Sequence, residues 1–151
     1  QKMEDAGVFR LAAKMLDAHY AGNWIGIGGG VTVASRAIYL LRTAGYIRFS
    51  VFGIDCCWRE DAHHAFPQPE NDGDKRFRVT VGINGKPETD RTFAVSAPHL
   101  KQYEDFLTLM ALNGTVMALD FHGDGMLTHA MHILGSDSPD RLSMSLSEEG
   151  A

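Results

Sequence analysis

The chain is 151 residues long, enough for one domain with a real core. Its 44% hydrophobic and 22% charged residues are ordinary for a globular protein, no apolar run reaches the length of a membrane span, and no basic-then-apolar leader opens it. The net charge of -5 speaks against a general nucleic-acid binder, which needs a basic surface to neutralise phosphates, so a cytoplasmic protein is the expectation.

The chain opens at Gln1 and its first helix follows at once, so it reads as a trimmed or processed piece. Over residues 4–20, Val8, Leu11, Ala12, Met15, Leu16 and His19 recur at steps of three and four, the spacing of a helix. "GNWIGIGGG" then gives a short apolar stretch, Trp24 to Ile27, ended by Gly28, Gly29 and Gly30. Helical spacing returns from Val31 to Ala44, with Gly45 placed for a left-handed C-cap. "YIRFSVFGID" is rich in β-branched and aromatic residues and predicts a largely buried strand. Residues 24–55 thus read as a strand–turn–helix–strand unit, the building block of parallel α/β sheets.

"HHAFPQPENDGDK", residues 63–75, suits neither helix nor strand and predicts a long polar loop. "RFRVTVGING" alternates cleanly after it, and Asn84-Gly85 predicts a hairpin whose return strand, carrying Pro87, lies at a sheet edge. Ser96 then caps a helix lined by Leu100, Tyr103, Phe106, Leu107 and Met110, which Asn113-Gly114 stops. "TVMALDF" predicts a last buried strand, "HGDG" follows its end, and Met126 to Leu134 suggests a short helix. Residues 1–134 read as a single domain, and 135–151 as a polar, serine-rich tail that frays.

Three groups of residues could carry chemistry. "GIGGGVTVASRA" places glycines, Thr32 and Ser35 at a helix start, where free N–H groups and the helix dipole favour phosphate; a plain tight turn is the competing reading. The turn is neither a P-loop nor a clean GxGxxG. Asp55 ends one strand, while Asp120, His122 and Asp124 end or follow another. Parallel strands would bring these acids to one carboxyl edge, where open α/β sheets bind ligands. His63, His64, Glu70, Asp72 and Asp74 lie on the loop leaving the first of those strands. Such a set suits a magnesium ion held on oxygen ligands with phosphates attached, or a general base; a solvated polar loop is the alternative. The third group, "FHGDG", has glycines on both sides of Asp124, which suggests a backbone bent sharply to present it. His129 and His132, three apart, could be metal ligands on one helix face, but read rather as surface or partly buried helix residues. Cys56 and Cys57 read as small buried side chains, which fits a reducing compartment.

Taken together, "GGGVTVASRAIYLLRTAGYIRFSVFGID", "HHAFPQPENDGD", "APHLKQYEDF" and "FHGDG" resemble a bacterial domain-of-unknown-function family. It groups the 6-hydroxymethylpterin diphosphokinase MptE-like proteins with the motility-associated (Maf) factors linked to flagellin glycosylation. The resemblance spans Gly28 to Leu127, and the histidine block is its most specific part. It implies a Rossmann-like three-layer α/β sandwich, mostly parallel with a β-hairpin insertion. The family domain has further N-terminal strands, so this chain reads as an N-terminally truncated, C-terminal portion of it.

The implied activity is transfer of a diphosphate or glycosyl group from a nucleotide or sugar nucleotide, without nucleic-acid or membrane partners and with room for a homo-oligomer. On the matching positions Gly28, Gly29, Gly30 and Thr32 would cradle phosphates, and Asp55, His63 and His64 would face the donor or a metal. His122 and Asp124 would close the crevice, with His63, His64 and Asp124 as catalytic groups and Asp55 with Asp124 as ligands for a divalent cation such as magnesium. The alternatives are a non-catalytic Rossmann-like module that binds a ligand or partner, and a dinucleotide oxidoreductase using Asp55 for the ribose.

Overall fold

Alternation of apolar residues at two spacings, 3.6 and 2, divides the chain into helices and strands much as expected. The computed structural model describes residues 13–23, 30, 32–59, 73–113, 117–135 and 141–148. Residues 13–20, the described part of the first expected helix, are helical (α1). The expected strand at 24–27, Gly28, Gly29, His63, His64, Glu70 and Asp72 lie outside the described residues.

Helix α2 runs Val33–Thr43 and begins with a reciprocal cap. The Ser35 N–H donates to Thr32 Oγ1 at 3.2 Å, and the Thr32 N–H donates to Ser35 Oγ at 3.3 Å, so two of the helix's orphan donors are satisfied. Its far end closes as predicted: Gly45 has φ 98°, and the Tyr46 N–H reaches the Leu41 carbonyl at 3.0 Å.

Strand β1, Arg48–Phe52, leaves this helix and pairs in parallel with a later strand, Ala118–His122, in register from Arg48↔Ala118 to Phe52↔His122. Between them come β2, Phe77–Ile83, and β3, Lys86–Val95, joined through Asn84-Gly85. Helix α3, Ala97–Asn113, follows, and Ala118–His122 is therefore β4. Helix α4, Met126–Leu134, and β5, Leu142–Glu148, complete the described order.

The result is a mixed α/β architecture, but the sheet differs from the expectation. Among the described residues the hairpin is no insertion in a mostly parallel sheet: β3-β2-β5 form their own antiparallel sheet, beside the parallel pair β1–β4. Residues 142–148 are not a fraying tail but pair with β2 along its whole length, from Phe77↔Glu148 to Ile83↔Leu142. "LSMSLS" alternates with period two, and its serines lower the mean hydropathy enough to disguise that pattern. As predicted from Pro87, β3 is an edge strand.

Nor is β1 largely buried. Val51 is buried, whereas Arg48, Ser50 and Phe52 are exposed, so α2 and α3 cover one face of the pair and the other is open to solvent. On the covered face Val51 and Phe121 meet Ile38 of α2 and Tyr103, Phe106 and Leu109 of α3, with Phe106 edge-on to Phe121 at 5.7 Å. Helix α4 touches β2, β3 and β4, and its Met126, Leu127 and Ala130 join Val79, Val81, Phe93 and Val95 in the same core. Each such large side chain contributes about 1.5–3 kcal/mol by leaving water, so α4 is the wedge that fixes the two sheets together. Among the described residues, no helix is long and apolar enough to cross a membrane.

Candidate functional site

The parallel pairing of β1 and β4 puts both carboxyl ends on one edge, and the chain does unusual things there. Beyond Phe52 it turns through Asp55 to Cys56, whose φ of 54° is left-handed. A non-glycine residue takes that conformation at a cost on the order of 1 kcal/mol, and such strain is held only where the surroundings impose it. The Trp58 N–H then donates to the Ala94 carbonyl at 2.8 Å, so residues 53–59 carry the chain from the parallel pair across to β3.

The loop after β4 closes onto this segment. Gly125 lies so close to Asp55 that a Cβ there would overlap the Asp55 backbone, and the Leu127 N–H donates to the Asp55 carbonyl at 3.3 Å. Gly123 takes φ 134°, a conformation that strains a residue with a side chain, and a Cβ there would sit a tight 3.1 Å from Asp55 Oδ1. The glycines around Asp124 thus do what their spacing suggested, one bending the backbone and the other allowing close approach. Asp55 and the 123–125 loop are brought together at the start of α4, whose N-cap Gly125 offers no side-chain hydrogen bond.

Two arginines complete the rim. Arg59 Nε lies 3.1 Å from Asp55 Oδ2, and Arg91 Nη1 on β3 donates to Asp124 Oδ1 at 2.6 Å. The Arg91 hydrogen bond, then its charge, hold the Asp124 carboxyl below the usual carboxylate range, with lesser help from Arg59 and His129. Asp124 in turn keeps Arg91 firmly protonated. Sequence reasoning missed both arginines. The four-residue step from Asp55 to Arg59 was an available signal; Arg91 meets Asp124 across 33 residues and two sheets, and no local pattern announces it.

The remaining candidates take other places. His122 stacks on its register partner Phe52, with ring centroids 4.3 Å apart, and its Nε2 lies 3.1 Å from Asp120 Oδ2. That puts His122 at the carboxyl edge but on the pair's open face. His129 points its Nε2 at the Thr89 and Val81 carbonyls, at 3.0 and 3.3 Å; both are acceptors, so this nitrogen carries the proton and straps α4 to the second sheet. His132 is exposed. Cys56 and Cys57 are buried, and burial pushes both thiols up; for Cys57 the Met126 backbone, Arg59 and Arg91 oppose this.

At the start of α2 the Thr32 hydroxyl is committed to Ser35. Gly30 is in such close contact with the Asp105 carboxylate of α3 that a Cβ on residue 30 would overlap it, and Lys101 Nζ lies 3.8 Å from Asp105. Negative charge near this helix start is therefore supplied by the protein itself.

Among the described residues no three His, Cys, Asp or Glu side chains converge as a metal-ligand set. Magnesium needs only one or two carboxylates when phosphates and water fill its other positions, and the carboxylates on offer at this edge are Asp55 and Asp124, each paired with an arginine. Comparison with family models, curated proteins and solved structures found no match to this chain.

Proposed function

We propose that the chain is a nucleotide- or sugar-nucleotide-dependent transferase-like protein of diphosphokinase or glycosyltransferase type, built on a Rossmann-like sandwich. The observation that carries this reading is the close approach of Gly125 to the Asp55 backbone at the shared carboxyl edge of two parallel strands. Open α/β sheets bind ligands at that edge, and two aspartates with two arginines are the groups that phosphates and their counter-ions need. The resemblance of the histidine block, the glycine turn and "FHGDG" to the MptE-like and Maf proteins points the same way.

In this reading Asp55 and His122 face the nucleotide, and the phosphate role expected of the glycine turn passes to the carboxyl edge, because the Thr32 N–H is given to Ser35 Oγ and the Asp105 carboxylate lies against Gly30. His63, His64 and Asp124 serve the transfer, and Asp55 and Asp124 hold a divalent cation, whose charge would offset that of the phosphates. Catalysis would rest on positioning and charge neutralisation, as phosphoryl and glycosyl transfers from nucleotides generally do.

The test is thermal unfolding with CTP, ATP, GTP or a sugar nucleotide, with and without magnesium. At a hundredfold excess over Kd, linkage adds about 2.7 kcal/mol, which for a chain of this size raises Tm by roughly 5–10 °C. A flat response to every nucleotide at millimolar concentration rejects the reading.

One observation favours a second reading, a non-catalytic Rossmann-like module: both aspartates at the edge are already held by arginines. In that case His63→Ala, His64→Ala and Asp124→Ala leave biological function intact. Loss of function in variants that still fold decides for the transferase.

A further inference from the structure

The two ion pairs at the carboxyl edge have features that structural staples do not need. Arg59 comes from the segment that leaves β1, and Arg91 from the edge strand of the other sheet. Their charges nevertheless converge, because Gly123 and Gly125 pack against Asp55 and so set the Arg59–Asp55 pair beside the Arg91–Asp124 pair. The close contact in each pair is made by one nitrogen, Nε of Arg59 and Nη1 of Arg91, whereas a guanidinium has five N–H donors and pairs best through a two-toothed fork. The pairs are open to water as well: side-chain exposure is 59% for Arg59, 44% for Arg91 and 72% for Asp124. Exposed pairs of this kind hold a fold together only weakly. The guanidinium plane of Arg91 is steadied by the Phe93 ring, 4.9 Å from its centroid, which keeps the group extended towards the rim.

We propose that Arg59 and Arg91 form a clamp for the diphosphate of the ligand, and that Asp55 and Asp124 are its resident counter-ions, displaced from the arginines when the diphosphate binds and so released to hold the divalent cation that accompanies it. This deepens the nucleotide reading given above and rests on it for the identity of the rest of the ligand. Each arginine would turn its unused fork to one phosphate group, and a phosphate oxygen pair satisfies that fork better than one carboxylate oxygen does. Two guanidiniums from two separate elements suit two phosphate groups, so the ligand class is a diphosphate ester rather than a monophosphate. Asp124, the more exposed carboxylate, is the one free to swing away. The exchange has a consequence that ordinary ion pairing lacks: removing the carboxylate should help the ligand, because the arginine no longer has to be won from it.

Calorimetric titration of the whole chain with inorganic pyrophosphate, in buffer with EDTA, tests this, with orthophosphate as the control. Pyrophosphate should bind more tightly than orthophosphate. Arg91→Gln and Arg59→Gln should each weaken pyrophosphate about tenfold or more, with Arg91→Lys in between because it keeps the charge and loses the fork. Asp124→Asn should tighten it several-fold. Circular dichroism melting identifies any variant that has lost its fold, and Arg91→Lys carries the test if Arg91→Gln does.

Unchanged pyrophosphate binding in the arginine variants overturns the clamp, as does an Asp124→Asn variant weakened as much as Arg91→Gln. Nucleotide binding that survives in both glutamine variants overturns the clamp and leaves the nucleotide reading standing. Arginine-dependent pyrophosphate binding without any nucleotide binding does the reverse, and no binding of either probe overturns both.

Discussion

Two helices of this protein start beside a glycine-bearing turn, and they are finished in opposite ways. At α2, Thr32 and Ser35 cap each other, and the Asp105 carboxylate lies against Gly30. At α4, the N-cap is Gly125 without a side-chain bond, and what surrounds it are charges from elsewhere: Asp55 with Arg59, Asp124 with Arg91. The first start is closed by its own hydroxyls; the second is shaped by close backbone packing and ringed by exchangeable ion pairs. A run of glycines therefore says that backbone must come close to something, and the something differs: an internal carboxylate in one case, a neighbouring strand end in the other.

The sharpest way to break this contrast is Gly125→Val. Its Cβ would overlap the Asp55 backbone, which, unlike a flexible side chain, cannot move aside cheaply. A loss of about 3 kcal/mol or more is expected, a fall in Tm of roughly 10 °C at this chain length. A variant that melts with the wild type would show that the loop stands off from Asp55. Thr32→Ala is the matching change at α2 and should cost about 1 kcal/mol, the usual worth of an N-cap. Because the Thr32 hydroxyl is committed to Ser35, nucleotide affinity should not change with it. If affinity falls in titrations while the melting temperature holds, the α2 turn is the phosphate site and the two helix starts have been assigned the wrong way round.

Sequence made some of this legible and hid the rest for physical reasons. The hairpin at Asn84-Gly85, the C-cap at Gly45 and the bend at Gly123 follow from local backbone preferences, which a few residues determine. Asp55 and Asp124 could be placed on one edge because parallel strands end together. What stayed hidden depends on contacts between distant segments. Asp105 reaches Gly30 from α3, and Arg91 reaches Asp124 from the other sheet. The strand β5 was hidden differently: Met144 and Leu146 keep 51% and 58% of their surface in water, so its stripe is weakly apolar and its serines dominate the average. The division into two sheets follows from that strand, since β5 gives the hairpin a third partner and a sheet of its own.

The smallest expected effect separates the two helix starts by pH. In the folded protein Arg91 holds the Asp124 carboxyl below its ordinary value, which for an unfolded chain is about 3.9. Folding then binds fewer protons at this site than the unfolded chain does, so the pair's stabilisation is complete above that value and fades as the pH falls through the lower, folded one. The stability difference between wild type and Asp124→Asn should therefore be constant above about pH 5 and shrink progressively in more acid solution. Added salt should shrink it too, because the carboxylate is exposed and its attraction to Arg91 is screened. The difference between wild type and Thr32→Ala should show neither dependence, since a cap built from hydroxyls has no proton to gain in that range. Melting curves of the three proteins across this pH series measure both differences at once. An Asp124→Asn difference that stays constant into strong acid would mean that Arg91 does not hold the carboxylate in solution, and that both helix starts are electrostatically inert.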